Sequence, residues 1–371
     1  MEDRSPQRAE KSQMRVPCRS LNAPSLQSLP ASVAIVGMAK NAGKTTTLNA
    51  VVQTAVAKRT VLGVTSAGRD GEAVDEVTGL NKPSIWVPAG TLFVTATQTR
   101  ERCCTHRVLQ NLEIGTAMGN LLLCKAMVDG DVEVAGAGTQ SAGIACIRSL
   151  HEHGAHLALI DGAAGRIFSC APSIAQSTIL ATGAALSNNL ETVVERTAHF
   201  IDLLELASPP AEIRPIAEEV LAQGGSAFLG ESGALSLLTL PTMLNRGHDI
   251  AKQMREKQAT TLITCGAVTD SLVDALLQKV NAVRIIIPDL THIFIGRIMT
   301  RRLRRAGGSL QTLHRARLLA VTINPWSPWG QGFPPDRFAA EIEQISPVPV
   351  YNLKNGQALH EALIGDREWV N

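Results

Sequence analysis

VAIVGMAKNAGKTTTLN, residues 33–49, decides how this chain is read. Its first part, 33–37, is an apolar run of the length and composition of a short buried strand, and 44–57 has the pattern of a helix. Between them lies a loop that carries Gly37 and Gly43 and runs into Lys44, Thr45 and Thr46. A phosphate cradle needs this order. Glycine lets backbone N–H groups close on phosphate oxygens, a lysine reaches the β- and γ-phosphates, and a hydroxyl takes Mg²⁺. The N-terminus of the following helix adds partial positive charge. On this reading Gly37, Lys40, Asn41, Ala42, Gly43, Lys44, Thr45 and Thr46 surround the phosphates of a nucleotide. Lys44 is the phosphate lysine and Thr45 a Mg²⁺ ligand. Five residues separate the two glycines, where the usual motif has four, and Lys40 is a second lysine in the loop.

Outward from the loop, strand-like and helix-like segments alternate. Strands are predicted at 61–65, 85–88, 91–96, 132–137, 156–160 and 178–182, and helices at 140–153 and 191–206. Residues 209–230 read as a connector. Beyond it, 260–264, 283–287, 318–322 and 348–352 are strand candidates, with an arginine-rich helix at 297–305. This rhythm predicts an α/β protein whose mostly parallel sheet is covered by helices on both faces. The expected division is a polar, flexible tail at 1–30, a P-loop nucleotide-binding unit at 31–235 and a C-terminal α/β extension at 236–371. Whether that extension continues the same sheet stays open at this stage.

The strand at 156–160 ends in Asp161. An apolar strand that delivers a carboxylate to the sheet's carboxyl edge, beside the loop, suits a Mg²⁺ ligand, direct or through water. The run DGAAGR follows, with Asp-x-x-x-Gly spacing and then Arg166, which either contacts the γ-phosphate, braces a switch loop or is an ordinary surface arginine. The second strand ends in TSAGRDGE, 65–72, where Asp70 and Glu72 either serve the metal, activate water and sense the nucleotide, or form a solvated turn. Lys44, Asp161, Asp70 and Arg166 are thus the candidate catalytic residues, with Thr45 and Asp161 the candidate metal ligands. Trp326 and Trp329, in TINPWSPWGQGFPPD at 322–336, suit a protein interface or substrate lid, or else cover the sheet edge. The arginines of 297–305 read first as a solvated basic face and second as an anion site.

Composition narrows the function classes. The 371 residues are 45% hydrophobic and 18% charged, which is globular, and the formal net charge of +2 argues against nucleic acid or an anionic membrane as the main partner. No apolar run approaches the ~18–20 residues of a membrane span. Residues 1–32 are polar with no leader-like core, and seven scattered cysteines suit reduced thiols, so the cytoplasm is the expected compartment. Cys103, Cys104 and His106 lack a second pair at zinc spacing. No Asn-Lys-x-Asp guanine reader follows Asp161, and NKPS at 81–84 precedes it, so ATP with Mg²⁺ is expected rather than GTP.

The loop resembles those of the SIMIBI branch of P-loop NTPases, which includes dethiobiotin synthetases, MinD-like ATPases and metal or cobalamin chaperones. In MinD-like members a second loop lysine reaches across a homodimer to the partner's nucleotide, and Lys40 stands one place from that spacing. With GMAKNAGKTTTLN, TSAGRDGE, KPSIWVPAGT and VTINPWSPWG in this order, the chain resembles the ATPase subunit of the lysine 5,6-aminomutase reactivase, a family also found beside ornithine aminomutases. The resemblance implies a chaperone-like ATPase. It would act with a MutS-like companion subunit on a mutase dependent on adenosylcobalamin and pyridoxal phosphate, driving release of inactive cobalamin. Two other classes compete: a dethiobiotin-synthetase-like ligase or kinase, and a nucleotide-gated scaffold with little turnover.

Overall fold

A computed structural model of the chain describes residues 32–67, 84–136, 138–162, 167–240, 242–330 and 332–353. In chain order the first half contains β1 (Ser32–Gly37), α1 (Lys44–Ala57), β2 (Leu62–Ala67), β3 (Ile85–Val87), β4 (Leu92–Ala96), β5 (His106–Thr116), β6 (Gly119–Ala126), β7 (Gly130–Val132), α2 (Gln140–Glu152), β8 (Leu157–Gly162), β9 (Ser177–Gly183) and α3 (Leu190–Leu204). The second half begins with α4 (Arg214–Ala222), β10 (Ser226–Gly230), β11 (Leu235–Leu237), α5 (Gly247–Glu256), β12 (Ala259–Thr264), β13 (Val268–Thr269), α6 (Asp270–Leu277) and β14 (Arg284–Ile287). It closes with β15 (Ile293–Phe294), α7 (Arg297–Arg305), β16 (Ser309–Thr312), β17 (Arg317–Asn324), α8 (Pro335–Glu343) and β18 (Val350–Asn352). The protein is α/β, built on a large, mostly parallel mixed sheet that among the described residues has nine strands, in the order β18-β17-β9-β1-β8-β2-β4-β6-β5. Strands β18 to β4 run parallel, and β6 and β5 close that edge antiparallel.

The central strands are buried along their whole length, as expected of parallel strands covered on both sides. Side-chain alternation assigns the faces. Val33 and Ile35 of β1 pack with Leu48, Val51 and Val52 of α1, whereas Ala34 and Val36 join a core containing Val193 and Ile201 of α3. On that same side as α3, α2 buries Cys146 and Leu150 against Ala158 of β8. Among the described residues no helix is long and apolar enough to cross a membrane.

A second sheet, β11-β10-β12-β14-β16, lies in sequence between α3 and β17. Leu235 opens β11 in this sheet, so the expected division after 235 falls at the start of one of its strands. The C-terminal stretch divides between the sheets: β12, β14 and β16 join the second, while β17 and β18 return to the first beside β9. The two sheets share one buried core cluster, to which Leu262, Ile285 and Leu310 of the second and Leu180 and Val321 of the first belong.

Two readings of the sequence are corrected, and a third is refined. The connector at 209–230 contains α4 and β10, because Pro215 sits in the first turn of a helix, where its missing N–H costs nothing, rather than in a linker. The strand expected at 132–137 is β7 ending at Val132, followed by residues that pair only through a single bridge from Gly136 to Ser66. The arginines of α7 do form a solvated face, since Arg301, Arg302, Arg304 and Arg305 are exposed, and carboxylates of neighbouring helices hold part of it. Arg297, Arg302 and Arg304 pair with Glu195, Asp274 and Asp202, tying α7 to α3 and α6. These pairs are substantially exposed and screened, and each contributes about 0–1 kcal/mol.

Candidate functional site

β1 ends at Gly37, and the loop 38–43 leads into α1 at the sheet's carboxyl edge. Its geometry explains the glycines. A Cβ placed on Gly37 would stand 2.6 Å from Cγ, 2.8 Å from Cδ and 3.1 Å from Nζ of Lys44. The lysine therefore lies folded back across the start of the loop, its ammonium over the loop's mouth, in space that any larger residue at 37 would fill. Gly43 has φ +100° and Asn41 φ +61°, left-handed conformations that turn successive N–H groups toward one side.

The start of α1 is left without a side-chain cap. Gly43, the residue before the helix, supplies no side-chain cap, and the first turn holds no acidic residue. The first N–H groups of a helix have no acceptor inside it. Thr47 is spoken for: its N–H and its hydroxyl both donate to the Gly43 carbonyl, at 2.9 and 3.0 Å. Thr45, two residues earlier and half-buried, keeps a hydroxyl at the loop's rim.

Asp161 is the last residue but one of β8, the strand directly beside β1, and is 6% exposed. It stands opposite Ile35 of β1 and Ser66 of β2. Leu157 and Leu159, four and two residues earlier, face α1, so strand alternation sends the Asp161 carboxylate to the same face, toward the first turn that carries Thr45. Ser66 donates to the Asp161 carbonyl at 3.2 Å, fixing the strand end. Gly162 permits the approach that follows, since a Cβ there would come 2.8 Å from the Ile35 carbonyl and from Ser169 Oγ. Cys170, fully buried beyond it, has its thiol pushed up to about 12 by burial, and so is no nucleophile at neutral pH.

Of the residues singled out in the sequence, the structure brings together the loop from Gly37 to Thr46 and Asp161. Lys40 and Thr46 are exposed on that loop. Asp70 and Arg166 lie outside the described residues. Trp326 and Trp329 are 54% and 63% exposed, so neither is buried as a cover over the sheet edge.

Sequence reasoning missed what grips the loop from behind. Thr322, buried in β17, meets Thr47 hydroxyl to hydroxyl at 2.8 Å, and Asn324 Nδ2 donates to the Asn41 carbonyl at 3.0 Å. Gly183 makes room for this, because a Cβ there would come 2.5 Å from the Asn324 carbonyl. The only signal was a small polar residue at a strand's carboxyl end in the TINPW run. Replacing Asn324 by alanine removes one neutral hydrogen bond, worth about 1 kcal/mol, from a loop that must be preformed. Mg–ATP affinity is therefore expected to fall about fivefold, measured by calorimetry, with the fold intact by circular dichroism.

These side chains fit a nucleotide polyphosphate with its magnesium ion: a lysine over a glycine mouth, an uncapped helix start, a threonine in the first turn and a buried aspartate on the facing strand end. No protein-family model matches the chain, and no curated protein matches it in sequence.

Proposed function

We propose that this chain is a P-loop nucleoside triphosphatase that binds Mg–ATP and serves as the ATPase subunit of a reactivase for an adenosylcobalamin-dependent aminomutase. The observation that carries the nucleotide reading is Lys44 folded over Gly37 at the mouth of an uncapped helix. Lys44 holds the charge of the β- and γ-phosphates, while N–H groups of the loop and first turn surround their oxygens. The Thr45 hydroxyl and the Asp161 carboxylate hold the metal, with Asn324 and Thr322 keeping the loop in its binding shape. Bound Mg–ATP supplies a transferable γ-phosphoryl group and the free energy of its loss.

The reactivase reading rests on the ordered family-like segments and on a route from the site to the rest of the protein. The short turn Ile167–Cys170, which the chain enters soon after Asp161, packs against the turn Leu290–His292 that follows β14 of the second sheet. On this reading the state of the γ-phosphate passes from the segment after Asp161 to the second sheet and from there to a companion subunit. Client and companion would be the mutase, which carries cobalamin and pyridoxal phosphate, and a MutS-like subunit.

Turnover tests this reading. ATP hydrolysis by the chain alone is expected to be slow and to rise when companion and mutase are added, with ATP preferred over GTP by at least about tenfold. Turnover indifferent to both proteins, but raised by a small carboxylate or alcohol, would favour the ligase or kinase class instead.

A further inference from the structure

A cavity of about 930 Å³ opens on the second sheet. It sits at the amino ends of three parallel strands, where Thr261 of β12, Arg284 of β14 and Ser309 of β16 stand opposite one another in register and so share one face. Two residues further along the same face, Ile263 and Ile286 are covered by Ala217, Val220 and Leu221 of α4. α4 has nine residues and covers only that part of the face, leaving the Thr261–Arg284–Ser309 row open beside its first turn at Ile213 and Ile216.

The charges around this opening are unbalanced in a particular way. Arg284 is half-buried, and its Nε is buried without a hydrogen-bond partner. Lys279 and Arg255 line the same cavity, and among the described residues neither forms an ion pair. Glu212 and Glu231 also line it, yet neither pairs with any of the three cations. Several arginines elsewhere in this half of the chain do find carboxylates: Arg246 with Asp249, Arg302 with Asp274, Arg304 with Asp202, Arg315 with Glu205. A guanidinium donor buried without an acceptor is costly to keep. Set in a cavity with two further unpaired cations, hydroxyls and an apolar wall, it has the composition of a ligand site.

We propose that this cavity binds a small organic anion. The guanidinium of Arg284 takes the carboxylate or phosphate, with Lys279 and Arg255 adding charge at the mouth, and the apolar part of the ligand lies on Ile213, Ile216 and Leu229. The site is separate from the loop at Gly37–Thr46 and does not depend on the nucleotide reading.

The test uses the full chain carrying Lys44→Ala, which removes the loop lysine as a competing anion binder. Citrate and inorganic phosphate are titrated separately by calorimetry. At least one is expected to bind, and Arg284→Met and Lys279→Glu are each expected to weaken it about tenfold or more. Binding of citrate alone identifies a carboxylate ligand, and of phosphate alone a phosphate ester; either sustains the proposal. Lys279 is exposed, so Lys279→Glu decides the matter even if Arg284→Met fails to fold. No binding of either probe below about 10 mM, or binding unchanged in the variants that fold, overturns it.

Discussion

Lys44→Ala is expected to abolish measurable Mg–ATP binding, a loss of about 100-fold or more. The side chain lies across the loop's mouth, and its ammonium is the principal positive charge available to the β- and γ-phosphates. A charge-assisted contact of this kind is worth about 1.5–3 kcal/mol, and more when its loss leaves phosphate charge uncompensated in a preformed cradle. Gly37→Ala approaches the same result from the other side. The added Cβ would fall 2.6 Å from Lys44 Cγ, so the lysine must leave the mouth while the strand stays buried. Calorimetry with Mg–ATP reads both variants. Unchanged affinity in Lys44→Ala would remove the loop assignment, and unchanged affinity in Gly37→Ala would show that the folded-back lysine is not the binding conformation.

Asp161→Asn is expected to spare nucleotide binding within a few-fold and to lower hydrolysis by about 100-fold. The amide keeps the shape of a buried side chain between β1 and β2, so the strand end should hold, but it loses the negative charge that orients the metal. Thr45→Ala complements it by weakening Mg²⁺-dependent binding more than metal-free binding, since only the hydroxyl contact with the metal is lost. Normal turnover in Asp161→Asn would place the metal carboxylate elsewhere, with Asp70 the first residue to examine.

Much of the fold was legible because it is local. The helix expected at 44–57 is α1, Lys44–Ala57, and that at 297–305 is α7, Arg297–Arg305. Glycine marks their starts, Gly43 before α1 and Gly296 before α7, and Gly307 follows the end of α7. The strand ending in Asp161 was legible for the same reason: a continuous aliphatic run bounded by glycine is a buried strand. The hairpin β5–β6 was not. Its register shifts between Val108 and Gln110 and again between Asn111 and Gly115, Glu113 has φ +58°, and the tight turn closes through Ala117 and Met118 instead of Asn-Gly. Alternation and turn chemistry, the two signals of a hairpin, were both broken.

The site divides the same way. Loop and aspartate announce themselves by residue type next to a strand or helix end. The brace from Thr322 and Asn324 does not, because it depends on β17 lying beside β9, which sets Thr322 against a threonine 275 residues earlier. Nor does the cavity around Arg284, which exists only because Thr261, Arg284 and Ser309 of three strands come into register and α4 is too short to cover them. Such features come from non-local pairing, which no spacing along the chain records.

The cellular role is the central claim, and one measurement bears on it most directly. An aminomutase inactivated by turnover, or loaded with hydroxocobalamin, is mixed with this chain, its MutS-like companion, Mg–ATP and fresh adenosylcobalamin, and mutase activity is followed. The account predicts recovery with ATP, and none with a non-hydrolysable analogue or with Lys44→Ala, since a nucleotide state that cannot change cannot shift a partner's conformation. Recovery equally fast without this chain would contradict it.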